Sequence, residues 1–296
     1  MIKVKDLYKV IDGEVVLDHL NMQVEEGSIY GLIGPNGAGK TTLIRHLVGV
    51  LKQDAGKIFI ESQPVYENIE IKRKIGYISD EMYFIETSLE RNAKVYKELY
   101  PSWNQERFEE LYKTFKLNPT KKIQTFSKGM RKQASFCLIM STMPKYMLLD
   151  EVFDGIDPLK RNLCKKIFIE YMAETGCSMI MSSHNLQEIA DLCDHVALIN
   201  GKKLAMNVSV DDASSAYVKY RLIFDRDIDK SIFDGIENKG ITIDNKLATI
   251  IVPSSFDNGA LACLCPVHMD SVTLSLEEVF LNEMEDKNYD ISKIFC

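Results

Sequence analysis

The 296-residue sequence predicts an α/β fold, and three stretches carry that prediction. An apolar run from Ile29 to Ile33 leads through a glycine-rich loop, Gly34 to Thr41, into a helical pattern with Leu43, Ile44, Leu47 and Val48 on one side. A second apolar strand, Met147 to Leu149, ends in two adjacent acids, Asp150 and Glu151. A third, Met179 to Ser182, follows a helical stretch over about 159 to 173, the alternation expected of a parallel sheet covered by helices.

The remaining elements follow in order. Residues 1 to about 33 read as strands, with Leu20, Met22 and Val24 alternating with polar neighbours. Ile58 to Ile60 and Ile75 to Ile78 read as short strands with a charged helical piece between them. From about 81 to 140 the pattern turns helical. Thr87 with Glu90 and Ser102 with Gln105 fit capping boxes, and Pro101 marks a break between two helices. Beyond about 208 a second unit is expected: Val218, Tyr220, Leu222 and Phe224 alternate as a strand, Ile241 to Val252 reads as a hairpin turning at Asp244 and Asn245, and Ser275 with Glu278 caps a last helix.

Composition narrows the function classes. With 36 basic and 43 acidic residues, a net charge of −7 leaves no electrostatic footprint for nucleic acid. The sequence shows no apolar run of membrane-spanning length and no signal-peptide core after Met1, so a cytosolic location is expected. Seven scattered cysteines suit a reducing compartment and buried thiols. Cys263 and Cys265, with His268 nearby, are read as small apolar packing on a strand, because a second pair of metal ligands is lacking.

The loop Gly34-Pro35-Asn36-Gly37-Ala38-Gly39-Lys40-Thr41 has the spacing and the flanks that grip a nucleoside triphosphate. Its glycines let backbone N–H groups crowd round phosphate oxygens, which the positive end of the following helix also faces. Lys40 is expected to reach the β and γ phosphates and the Thr41 hydroxyl to take a place on Mg²⁺. In such a site Asp150 would hold Mg²⁺ and Glu151 would orient and deprotonate the attacking water.

Phe126-Ser127-Lys128-Gly129-Met130 resembles the signature sequence of ATP-binding cassette (ABC) ATPases, in a variant with Lys third and Met fifth. Gly155-Ile156-Asp157-Pro158 looks like the family's D-loop, and Ser183-His184 like its switch-histidine loop. Five motifs in family order over about residues 1 to 205 make the resemblance specific, and the tail from Ser275 to Leu281 is similar to the end of the accessory segment in bacterial drug- and antibiotic-exporter ATPases.

The resemblance implies a P-loop NTPase of ABC type over residues 1–208, with a mostly parallel core sheet, an antiparallel β subdomain and a helical subdomain at about 81–140. A small α+β accessory or regulatory domain, 209–296, would follow. It further implies ATP held by residues 34–41 and Thr42, with Ser127 and Gly129 presented to the γ phosphate of nucleotide bound by another subunit. His184 would sense that phosphate, and Asp157 would link two sites across a homodimer or a heterodimer with a second ABC ATPase.

Three departures from the family pattern stand out. Asp80, in Tyr77-Ile78-Ser79-Asp80-Glu81, takes the place of a Gln that touches Mg²⁺ and the water, so a shorter, charged group is expected at the metal, slowing hydrolysis or altering its coupling. Ile11 takes the place of the aromatic that stacks on adenine, leaving weaker apolar contact unless Tyr8 swings in. Val152 replaces the proline after the catalytic Glu. Trp103, the only tryptophan, is read as a buried helix anchor in preference to a docking contact, and Met82-Tyr83-Phe84-Ile85 as the better docking stretch.

The expected function is therefore the ATP-hydrolysing subunit of an exporter, peripheral on the inner face of the cell membrane through a separate integral-membrane permease. A soluble ABC ATPase acting on a macromolecular machine is the alternative. A single glycine loop, no heptad run and an acidic balance weigh against it. A regulatory module without catalysis is disfavoured by the intact Lys40, Asp150, Glu151 and His184.

Overall fold

A computed structural model describes residues 1–81 and 83–285. The chain divides into two compact units, Met1–Asn207 and Val208–Cys296.

The first unit opens with β1 (Ile2–Ile11) and β2 (Glu14–Val24), followed by β3 (Ile29–Ile33) and α1 (Lys40–Leu47). Next come β4 (Ala55–Ile60), β5 (Gln63–Pro64), a single helical turn α2 (Ile69–Lys72) and β6 (Ile75–Ile78). Three helices, α3 (Leu89–Leu99), α4 (Gln105–Thr114) and α5 (Lys128–Ser141), precede β7 (Tyr146–Asp150). Then α6 (Pro158–Thr175), β8 (Ser178–Ser182), α7 (Leu186–Leu192), β9 (His195–Asn200) and β10 (Lys203–Ser209) complete the series.

Two sheets organise these elements. One runs β2-β1-β4-β5 and is antiparallel; the other runs β10-β9-β3-β8-β7-β6, with every step from β9 to β6 parallel. Between them lies an apolar core that includes Leu7, Leu17, Leu43, Ile44, Leu47, Leu148 and Ile180, all essentially without solvent contact. Burying each such side chain stabilises the fold by roughly 1.5–3 kcal/mol relative to exposure. The strands β3, β7 and β8 are buried at every position, which explains why they read as unbroken apolar runs while β2 alternates.

Register decides where the site forms. Asp150 pairs with Ser182, Leu149 with Met181, Ile78 with Leu149 and Leu32 with Ser182, so four neighbouring parallel strands end together. The segments leaving those ends are the glycine loop, Asp80, Glu151 and His184. Ligand sites of open parallel sheets lie beyond these carboxyl ends.

Two capping expectations shift. Ser88, and not Thr87, caps α3 by accepting from the Arg91 N–H, and Asn104 caps α4 by accepting from Arg107. Ser102 instead donates its hydroxyl to the Thr142 carbonyl across to the end of α5. Trp103 is half-buried against Phe108, its ring centroid 5.4 Å away.

The second unit contains α8 (Val210–Ser215), β11 (Tyr217–Ile223), β12 (Gly240–Asp244), β13 (Leu247–Pro253), α9 (Gly259–Ala262), β14 (His268–Thr273) and α10 (Leu276–Glu285). Its antiparallel sheet runs β12-β13-β11-β14 over a core of Leu222, Phe224, Phe233, Ile250, Val252 and Leu261. The hairpin turns at Asn245, whose φ of 52° is the left-handed conformation asparagine tolerates. At α10 the capping box is fully formed: the Ser275 N–H donates to Glu278 Oε2 at 3.0 Å, and the Glu278 N–H donates back to Ser275 Oγ at 3.2 Å. Cys263 and Cys265 depart from the expected strand. They lie in the turn after α9 and are exposed, so neither packs in the core.

Candidate functional site

The glycine loop joins β3 to α1 and takes backbone shapes that only glycine allows. Gly34 has φ of 152°, and a Cβ there would sit 2.4 Å from the Ile199 carbonyl oxygen. Gly39 has φ of 107°, and its Cβ would meet Leu17 at 2.8 Å and the Val16 carbonyl at 3.0 Å. The loop is thus pressed between two strands and leads directly into the N-terminus of α1.

A cavity of about 710 Å³ opens over this loop, floored by residues 36–42 and walled by Ile11, Val16 and Glu151. Its size is that of a small-molecule site. Lys40 is 7% exposed and rests its ammonium on the loop's own carbonyls, 2.7 Å from Gly34 O and 3.2 Å from Pro35 O. Burial pushes its pKa down, and the nearby Glu151 and Asp150 carboxylates pull it back. A buried cation hydrogen-bonded to carbonyls fits a polyanionic guest.

Beside it the Thr41 hydroxyl lies 3.1 Å from Asp150 Oδ1, which also accepts the Ser182 hydroxyl at 2.6 Å. Asp150 is 5% exposed. A hydroxyl and a carboxylate converging from α1 and β7 are hard oxygen donors of the kind Mg²⁺ takes.

Glu151 follows directly and is strained. Its φ is 50°, rare for a residue with a long side chain. Hydrogen bonds hold it there: its N–H donates to Ser182 Oγ at 3.1 Å and to Ser182 O at 3.2 Å, and its carbonyl accepts from Lys132 Nζ at 2.6 Å. Its carboxylate meets His184, with Oε2 2.9 Å from Nδ1, while the other ring nitrogen lies 3.8 Å from Asp154.

The signature residues lie at the start of α5. Ser127 caps the helix, its hydroxyl accepting from the Met130 N–H at 3.2 Å. A Cβ at Gly129 would lie 2.9 Å from the Gly155 carbonyl, so glycine is needed because α5 meets the turn before α6 backbone to backbone. Asp157 caps α6 in the same way, accepting from the Lys160 N–H at 3.1 Å with Pro158 in the first turn.

Asp80, expected at the metal, is paired with two lysines. Its Oδ1 lies 2.8 Å from Lys128 Nζ and 2.9 Å from Lys132 Nζ, with Lys128 also donating to Oδ2 at 3.1 Å. It is not among the residues lining the cavity. Burial raises its pKa, and the two ammonium groups outweigh that and hold it below the ordinary carboxylate range. The physical reason is charge pairing: α5 puts Lys128 and Lys132 one helical turn apart, and both reach the same carboxylate.

Ile11 lines the cavity, whereas Tyr8 packs against His19, the rings tilted by 32° with centroids 5.1 Å apart. Tyr83 and Ile85 are exposed, and Met82 lies outside the described residues. Reading by motif missed Ser182 and Lys132. Ser182 could have been found as the polar end of an apolar strand; Lys132 carries no such signal.

A glycine loop over a cavity, a Thr–Asp pair for a metal and a carboxylate–histidine pair at adjoining strand ends define a P-loop nucleoside triphosphatase. The family model described as ABC transporter matches residues 17–154. The chain is 32% identical to the bacitracin transport ATP-binding protein BcrA of Bacillus licheniformis, over 74% of this chain and 73% of that protein. It is 28% identical to the ABC transporter ATP-binding protein YtrB of Bacillus subtilis (strain 168), over 97% of this chain and 99% of that one. Among solved structures, an ATP-binding subunit of an ABC transporter superposes with a TM-score of 0.66 at 26% identity, covering 72% of this chain and 91% of that one. The chain belongs to the ATP-binding proteins of ABC transporters, a family of ATP-binding ATPases.

Proposed function

We propose that this chain hydrolyses ATP as the motor subunit of an exporter, with each active site formed by two cassettes. The observation that carries the reading is the convergence of Lys40, Thr41, Asp150, Glu151 and His184 at the ends of adjacent parallel strands. Residues 34–42 would hold the phosphates, with Ile11 against the base. Thr41 and Asp150 would hold Mg²⁺, which neutralises charge on the β and γ phosphates when bound.

Glu151 would orient a water and accept its proton, while His184 steadies the carboxylate at 2.9 Å and answers to the γ phosphate. Ser127 and Gly129 would meet nucleotide held by a second cassette, like or unlike this one, with Asp157 at the seam. Asp80, expected beside Mg²⁺ and the water, pairs with Lys128 and Lys132. Among the described residues no helix is long and apolar enough to cross a membrane, so the motion would act on a separate permease at the inner face of the membrane. The name of BcrA supports transport, and that of the lipopolysaccharide export system protein LptB of Haemophilus influenzae, 30% identical, supports export. The acidic net charge supports a partner other than nucleic acid. Residues 208–296 would serve as an accessory or regulatory part of the motor.

Glu151→Gln tests the reading. Phosphate release should fall about 10²- to 10⁴-fold while ATP binding survives, and the variant should dimerise with MgATP in size-exclusion chromatography. Turnover at the parent rate would sink the assignment. Co-purification of the parent with a polytopic protein from membranes tests the transport role.

A further inference from the structure

Lys132 is the one fully buried lysine near the site among the described residues, at 0% side-chain exposure. A buried ammonium is costly unless it is paired and hydrogen-bonded. Here it has two partners: it donates to the Glu151 carbonyl at 2.6 Å and lies 2.9 Å from Asp80 Oδ1. The first partner is the backbone of the strained residue that carries the candidate base, and Ser182 holds the other side of that residue through its N–H. The two grips together fix both peptide planes of Glu151. The second partner, Asp80, stands two residues past the end of β6 and is 44% exposed. It is also shared with Lys128, whose side chain runs over Gly155.

We propose that Lys132 is a positioning residue for ATP hydrolysis: its ammonium holds the Glu151 peptide so that the carboxylate points at the attacking water, and Asp80 keeps the ammonium in place. This rests on Glu151 being the base. Lys132 acts through the Glu151 backbone and is not among the residues lining the cavity, so its removal should affect the chemical step and leave nucleotide affinity alone. Asp80, in the place expected for a metal contact, then acts through Lys132.

Steady-state ATPase kinetics of the full-length chain test it, with binding of a non-hydrolysable ATP analogue and a thermal melt for each variant. Lys132→Met, which keeps length and loses the donor, should lower kcat about ten- to a hundredfold, the cost of a carboxylate misplaced by about an ångström, with KM and analogue affinity unchanged. Asp80→Asn should lower kcat severalfold by itself and have no further effect in the Lys132→Met background. The Asp80→Asn arm stands even where Lys132→Met does not fold. Parent-like kcat in either single variant, a parallel loss of analogue binding, or effects that multiply in the double variant would overturn the proposal. Glu151→Gln serves as the reference. Its retaining activity would overturn the base itself, whereas its losing activity beside a parent-like Lys132→Met would overturn only the positioning role.

Discussion

The two halves of the site differ in how they are built. Lys40 and Asp150 are buried at 7% and 5% exposure, and their polar atoms are already engaged with the loop carbonyls, Thr41 and Ser182. Ser127, Lys128 and Asp157 are exposed, and Ser127 and Asp157 cap their own helices. The buried half is organised by strand register before any guest arrives. The exposed half is a pair of well-formed helix starts that turn outward, an arrangement whose value depends on a second molecule.

The largest effect expected from breaking that contrast is at Lys40. Lys40→Ala should abolish ATP binding measured with a fluorescent analogue and cut turnover on the order of 10²- to 10³-fold, the usual consequence of removing one preorganised donor to phosphate charge. Retained nucleotide consumption would mean that the buried half is not the phosphate site.

Gly129→Val should come next, and it separates the halves. Its Cβ would lie 2.9 Å from the Gly155 carbonyl, so the start of α5 has to shift. MgATP-dependent dimerisation in light scattering should be lost while monomer nucleotide affinity stays within about twofold, because the substitution lies away from the glycine loop. If affinity falls as well, the halves are one unit and the comparison fails.

Ile11→Tyr should have the smallest effect and sharpens the first half. Placing an aromatic on the cavity wall should tighten ATP by about two- to tenfold in calorimetric titration. An unchanged affinity would move the base elsewhere in the cavity.

How much of this could be read from the chain varies with the chemistry. The glycine loop was legible because Gly34 and Gly39 meet a steric rule that no other residue satisfies, and the acids at 150 and 151 because a buried strand that ends in charge is seldom idle. Capping was less legible: Ser88 and Asn104 displaced Thr87 and Ser102 because caps are chosen by where the chain bends and not by residue type alone. The exposed Cys263 and Cys265 show the same limit, since a turn and a strand can share one apolar pattern.

By itself the sequence determined the order of elements, the phosphate loop and the residues able to do acid–base work there, because local sterics and periodicity act over a few neighbouring residues. Only the tertiary structure decided that Asp80 faces two lysines, that Lys132 grips Glu151, and that Gly129 is needed for the approach of Gly155. Those contacts join positions 19 to 52 residues apart, and their energy depends on burial and charge pairing that no local pattern encodes.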